Sequence, residues 1–232
     1  MTKRTLLLTV AFVALTATAQ EKVEADISAD IVSQYIWRGQ DLGHVSLQPT
    51  LGLNWRGLSL SAWSSVGLAD SNDTREIDLT LSYTLGGLHV GVTDYWTDNG
   101  VEPRYFKYDA HGTNHVFEAN VGYDFGLLSL DWYTNFAGAD GVNNSEKRAY
   151  SSYVELAAPF RLGGADWTAT LGVVPYATDF YDCNSFAVTN ISLRAEKTLQ
   201  LSSKFGLPLF AEFVANPRSE RAYLVVGLTL QP

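Results

Sequence analysis

Residues 44–56 read HVSLQPTLGLNWR. The odd positions are Val45, Leu47, Pro49, Leu51, Leu53 and Trp55, and the even ones begin His44, Ser46, Gln48, Thr50, Gly52 and Asn54. Successive side chains of a strand point to opposite faces. This segment is therefore a ribbon with an apolar face ending in an indole and a second face without an apolar residue. The alternation returns near the C-terminus, where Ala222, Leu224, Val226, Leu228 and Leu230 interleave with Tyr223, Val225, Gly227, Thr229 and Gln231. Where such ribbons place their apolar faces decides the class of the protein.

Lys3 and Arg4 precede an apolar run from Leu6 to Leu15, and Ala17-Thr18-Ala19 supplies small residues ahead of Gln20. This order predicts a secretory signal peptide over residues 1–19, leaving one domain over residues 20–232. The run is shorter than the roughly 20 residues of a spanning helix. Loss of Lys3 and Arg4 with that segment takes the formal net charge from -9 to -11. So acidic a chain has no basic stripe for nucleic acid, and none is expected as a partner. Cys183 is the single cysteine, which rules out an internal disulfide and cysteine-type metal sites. Mean hydropathy is close to zero. That value fits a secreted soluble β protein, or a membrane barrel whose lipid-facing and lumen-facing halves cancel.

Twelve alternating segments are predicted as strands, at residues 23–38, 44–56, 58–69, 75–85, 88–97, 114–125, 127–136, 148–160, 166–174, 185–198, 207–216 and 221–231. Most reach the roughly 9–11 residues that a tilted strand needs to cross a bilayer. Their connections alternate in length. Gly57, Gly86-Gly87, Gly126 and residues 161–165 are short, with 200–206 the exception in that set, whereas 70–74, 98–113, 137–147 and 175–184 are mostly longer and polar. Both ends of the domain fall on the short-turn side, as in outer-membrane barrels. On the faces taken as outward, Tyr35, Trp37, Trp96, Phe136 and Tyr150 lie near the long-loop rim. Trp55, Tyr83, Tyr123, Phe125, Phe160 and Trp167 lie near the other rim. Two aromatic girdles around an aliphatic band suit a bilayer, whereas a sandwich has no reason to sort aromatics to strand ends. The expected fold is an all-β, transmembrane, antiparallel up-and-down barrel of about twelve strands.

The other face carries the candidate lumen-lining residues. Asp30, Glu118, Asp131, Glu155 and Glu212 are assigned to mid-height, and Asp26, Glu76, Asp78, Asp124 and Glu196 to the short-turn end. The inward bases are chiefly Arg38, Arg194 and Arg221. Acidic rings favour cations in a pore. In a small barrel the same residues can instead pack into a polar network that blocks the lumen. Inward Trp63, Tyr95, Tyr133, Tyr153 and Tyr223 could stack on a solute or fill space. His111 and His115, with Asp109 and Glu118 nearby, come nearest to metal-ligand spacing, but a fixed third ligand is wanting. Asp94 and Asp98 could meet His44 and His115 at the long-loop rim in a hydrolase-like arrangement, which no spacing enforces. No catalytic, cofactor or metal site is therefore expected.

The stretch DIVSQYIWRG, residues 30–39, resembles the opening strand of the TorF-type porin family, whose first hairpin has a Ser-x-Tyr-x-x-Arg-Gly core. The matching residues are Ser33, Tyr35, Arg38 and Gly39. Further similarity lies in Gln48-Pro49, in Gly57-Leu58 with Ala62-Trp63-Ser64-Ser65, in Glu76-Ile77-Asp78-Leu79 and in Gly91-Val92-Thr93-Asp94-Tyr95. It is clearest over roughly the first half of the chain. The resemblance implies a porin-like barrel in the outer membrane of a Gram-negative envelope, in contact with its lipid. The expected function is passive diffusion of small cations or neutral polar solutes through an acidic lumen, without a cofactor. A closed structural or anchoring barrel is the first alternative, and a rim-sited outer-membrane hydrolase the second.

Overall fold

Alternation of the kind seen at residues 44–56 produces strands throughout the computed structural model. It describes residues 22–69, 73–98, 104–109, 112–203 and 205–232, so residues 1–19, where a signal peptide is predicted, and His111 lie outside the described residues. In chain order the strands are β1 (Glu24–Val32), β2 (Tyr35–Trp37), β3 (Gln40–Gly43), β4 (Ser46–Trp55), β5 (Leu58–Gly67), β6 (Arg75–Leu85) and β7 (Leu88–Asp98). They continue with β8 (His115–Asp124), β9 (Ser129–Gly138), β10 (Ser152–Leu162), β11 (Ala165–Val174), β12 (Ala187–Gln200), β13 (Gly206–Asn216) and β14 (Arg221–Leu230). A short 3-10 turn, Asp179–Tyr181, precedes β12. Twelve strands close into an antiparallel barrel in which β1 pairs with both β14 and β4, while β2 and β3 pair only with each other.

The register fixes the faces. In β4, Leu51 sits between Ile27 and Ala62, while Thr50 sits between Ser28 and Trp63. Leu51 is 55% exposed, and Leu53, Leu60, Leu81, Val90, Val121 and Ile191 are exposed with it on the outward face. An apolar belt of this extent is an aggregation surface in water but fits the interior of a bilayer. The barrel is a transmembrane one. Trp55, Tyr83, Tyr123, Phe125 and Phe160 are exposed at the short-turn rim, and Phe160 stacks on its cross-strand neighbour Trp167 with ring centroids 6.1 Å apart.

Three sequence expectations need correction. First, the segment 23–38 is not one wall strand. It leaves the wall after Val32, and Tyr35 and Trp37 lie inside the barrel rather than in an outward girdle. Tyr35 is buried against Trp63, and Trp37 stacks on Tyr181. Ser33 closes the wall at the departure point, its N–H donating to the Val226 carbonyl at 2.8 Å and its Oγ accepting from the Val226 N–H at 2.9 Å. Second, Trp96 is buried, because Tyr105 from the following connection packs edge-on against it at 5.4 Å. Phe136 and Tyr150 remain exposed. Third, β10 starts at Ser152 rather than at 148, since Arg148 bridges Val142 within its own loop.

Leu51 separates a lipid-facing belt from an ordinary protein surface. An arginine at a half-exposed position in water is close to neutral, whereas at a bilayer midplane it costs about 2–4 kcal/mol. Leu51→Arg is accordingly expected to lower the stability of the barrel in lipid vesicles by that amount, read from denaturant unfolding. A near-neutral effect would contradict the membrane assignment of this face.

Candidate functional site

The two-residue turn between β2 and β3 is Arg38-Gly39, with φ of 50° and 80°. Positive φ at both positions is the pattern of a type I′ hairpin turn, and Gly is the residue that adopts it without steric cost. At Gly39 the requirement is also spatial, because a Cβ would lie 1.9 Å from the Thr189 carbonyl oxygen. The Asn216 side-chain amide donates to the Gly39 carbonyl at 3.0 Å. The hairpin tip thus rests against β12 and β13, and its arginine reaches Glu118 on β8. On the way, Ile36 packs on Val32, Phe210 and Val225. The Tyr35 hydroxyl donates to Glu76 at 3.0 Å.

At the tip, the Arg38 guanidinium meets a prepared site. Nη1 and Nη2 donate to the two carboxylate oxygens of Glu118 at 2.6 and 2.9 Å, and Nη1 donates to the Tyr181 hydroxyl at 2.7 Å. Tyr95 adds a hydrogen bond to Glu118 at 2.9 Å. The guanidinium carbon lies 4.3, 4.1 and 4.7 Å from the ring centroids of Trp37, Tyr133 and Tyr153, within cation–π range. The Arg38 and Glu118 side chains are only 8% and 3% exposed. The hairpin tip and its arginine thus lie packed inside the barrel.

Two loops hold the roof of this site. Val142 N–H donates to the Asp179 carboxylate at 2.6 Å, and Ser151 and Thr178 join through their hydroxyls at 2.6 Å. Thr178 also caps the 3-10 turn by accepting from Phe180 N–H at 3.1 Å. Tyr181 and Cys183 are thereby packed against Tyr153 and Val174. Burial pushes both the Tyr181 phenol and the Cys183 thiol up in pKa.

Below the hairpin the lumen wall is polar and cross-linked. Tyr153 donates to Glu155 at 2.7 Å and accepts from Asn190 at 3.2 Å, while His89 bonds Asp131. Arg194 lies 3.7 Å over the Phe210 ring and reaches Glu212 at 3.4 Å. Thr229 donates to Asp30 at 2.6 Å. At Gly172 a Cβ would lie 1.9 Å from the Tyr153 hydroxyl, so the mid-lumen ring fits only over a glycine.

No family model matches the chain, and no curated protein matches it. Among solved structures, the chain is similar to an outer membrane channel from Pseudomonas putida F1, at 12% identity and TM-score 0.41, covering 91% of this chain and 95% of that one. It is also similar to OmpF of Salmonella typhi in its complex with daunomycin, at 10% identity and TM-score 0.37, covering 90% of this chain and 97% of that one.

The register puts Asp30, Glu76, Asp78, Glu118, Asp131, Glu155, Arg194, Glu212 and Arg221 on the inward strand face, and Arg38 at the hairpin tip instead of on the wall. Glu76 and Asp78 lie near the long-loop rim, not the short-turn end, because β6 enters directly from the 68–74 connection. His44 pairs with Asp73 at 2.8 Å, and Arg75 lies 3.8 Å from Asp98. His115 and Asp94 do meet, at 2.7 Å, on the outward face of β7 and β8. The other nitrogen of His115 faces the Tyr105 carbonyl, and Tyr108 stacks on the ring at 4.2 Å. This histidine is engaged in fastening residues 104–109 to the wall. Among the described residues, no cluster of three potential metal ligands occurs.

Tyr181 and Ser33 are the partners that sequence reading missed. Cys183 reports on the first of them, being 4% exposed behind Tyr181. Alkylation of Cys183 in the intact barrel should be slow, and Gly39→Ala, which drives the tip away from Thr189, should speed it by an order of magnitude or so as the roof loosens. Equal labelling rates would show that the hairpin and the roof are independent.

Proposed function

We propose that the protein is an integral outer-membrane, porin-like channel for small cations or neutral polar solutes, held closed by the β2–β3 hairpin. The observation that carries this reading is the charge of the inward face. Glu76, Asp78, Glu118, Asp131, Glu155 and Glu212 surround the interior, with Arg38, Arg194 and Arg221 set among them. A passage lined in this way lowers the energy of cations and repels anions. The hairpin is tied to the wall mainly by side chains and pairs with no barrel strand, so it can move without opening the barrel itself. Export by the N-terminal signal segment delivers such a barrel to the outer membrane, and its apolar belt takes outer-membrane lipid as its partner.

A specific observation favours a second reading, a closed structural or anchoring barrel. Arg38, Glu118 and the Tyr153–Glu155–Asn190 group pack the lumen to a degree that diffusion through a static barrel does not need.

Planar-bilayer recording separates the two. The channel reading expects conductance with cation over anion selectivity, reduced when Asp131, Glu155 and Glu212 are replaced together by Asn, Gln and Gln. Silence at every salt concentration and voltage would favour the structural barrel. Anion preference in the intact protein would remove the acidic-lumen argument.

A further inference from the structure

The group enclosing Arg38 has the features of a binding site whose ligand is supplied by the chain itself. Glu118 receives the guanidinium through both oxygens, Tyr95 fixes that carboxylate, and Tyr181 accepts from the same Nη1 that Glu118 binds. Tyr133 and Tyr153 offer ring faces from the wall at 4.1 and 4.7 Å, and Trp37 adds one from the hairpin itself at 4.3 Å. A planar fork with delocalised charge satisfies the carboxylate and the rings together, whereas an ammonium engages the carboxylate as a point charge.

The backbone sets where that side chain is delivered. Arg38 adopts φ of 50° at the first central position of its turn, where asparagine, aspartate or glycine is the usual residue. The Arg56-Gly57 turn between β4 and β5 has the same geometry, with φ of 50° and 82°, so the turn delivers the arginine and its contacts define its role. The hairpin that carries it is a separate two-stranded sheet. A cleft of about 560 Å³ at the long-loop rim is lined by Gly39 and Tyr181 beside the tip, by the acids Asp41, Asp182 and Glu220, and by Arg218 and Arg221.

We infer that this box is a guanidinium-recognition site of the channel and that Arg38 is its tethered occupant, displaced when a guanidinium-bearing solute enters from the cleft. The inference rests on the cation-channel reading and names the solute class for it. Displacement exchanges one guanidinium for another on Glu118, so the buried carboxylate is never left without a counter-charge. The freed hairpin then no longer spans the lumen.

Calorimetry with methylguanidinium chloride on the barrel folded in detergent micelles tests this. Arg38→Ala empties the box and is expected to bind methylguanidinium at least about tenfold more tightly than either the intact protein or the double variant R38A/E118Q, which lacks the fork. Methylammonium should bind R38A clearly more weakly. Equal binding by R38A and R38A/E118Q, or methylammonium binding as tightly as methylguanidinium, would overturn the assignment. If R38A does not fold, R38Q carries the same comparison. In the intact chain, methylguanidinium should also speed Cys183 alkylation more than methylammonium does at equal concentration, and no difference would overturn displacement. Calorimetry needs no ion flow. Binding in a barrel that proves electrically silent would retire the channel and keep the site, and cation conductance without binding would retire the site alone.

Discussion

The ion pair between Arg38 and Glu118 is the contact that fixes the hairpin tip inside the barrel. Burying two charges is favourable only where the pair is well oriented and its remaining donors and acceptors are bonded, and here Tyr95 and Tyr181 supply those bonds. The aromatic faces of Trp37, Tyr133 and Tyr153 then occupy the volume that water would otherwise fill. Removing one partner of such a pair strands the other charge, a loss of about 3–5 kcal/mol. The rest of the hairpin is held by Tyr35 against Trp63, by Ile36 on Phe210 and Val225 and by Trp37 on Tyr181, so the ion pair governs its tip. The positive φ at Arg38 and Gly39, the approach of Gly39 to Thr189 and the placement of Tyr181 by two loops all serve this one contact.

The bilayer imposes the second constraint. Hydrocarbon cannot hydrogen-bond a backbone, so a chain that crosses it by strands must close into a barrel. Closure here is accomplished by β1, which pairs with β4 along its whole length but with β14 only at residues 29–32 against 227–230. Beyond that point the chain is diverted inward to build the plug, and Ser33 completes the bonding of Val226 in its stead. One element therefore seals the wall and fills the lumen. The Ser-x-Tyr-x-x-Arg-Gly pattern reads directly onto this geometry. Ser33 ends the wall, Tyr35 ties the hairpin to Glu76, Arg38 ties it to Glu118, and Gly39 permits the turn and the close approach.

Most of the wall was legible in sequence because lipid on one side and polar lumen on the other force strict alternation, as at Leu47 to Trp55. The plug was not, because Tyr35 and Trp37 continue the odd-numbered apolar series of Ala29 and Ile31. A period of two assigns faces but does not say whether a strand stays in the sheet. The available signal was the Arg38-Gly39 pair, a turn dipeptide in the middle of what read as a continuous strand-to-loop segment. The heights of Glu76 and Asp78 were readable from their position just after a long connection. Glu118 was legible as an inward acid, but its partner was not. Tyr181 arrives from a loop whose path is set by bonds between Asp179 and Val142, and no strand pattern records such bonds.

Closure by the hairpin can be measured on the barrel itself. Val32 and Ser46 are already paired, so a two-residue Asn-Gly turn can replace residues 34–44 and join the strands without disturbing the wall. Single-channel recording of that variant beside the intact chain is the most direct test. A conductance several-fold above that of the intact chain is the expected result, and an unchanged conductance would contradict a lumen closed by this hairpin.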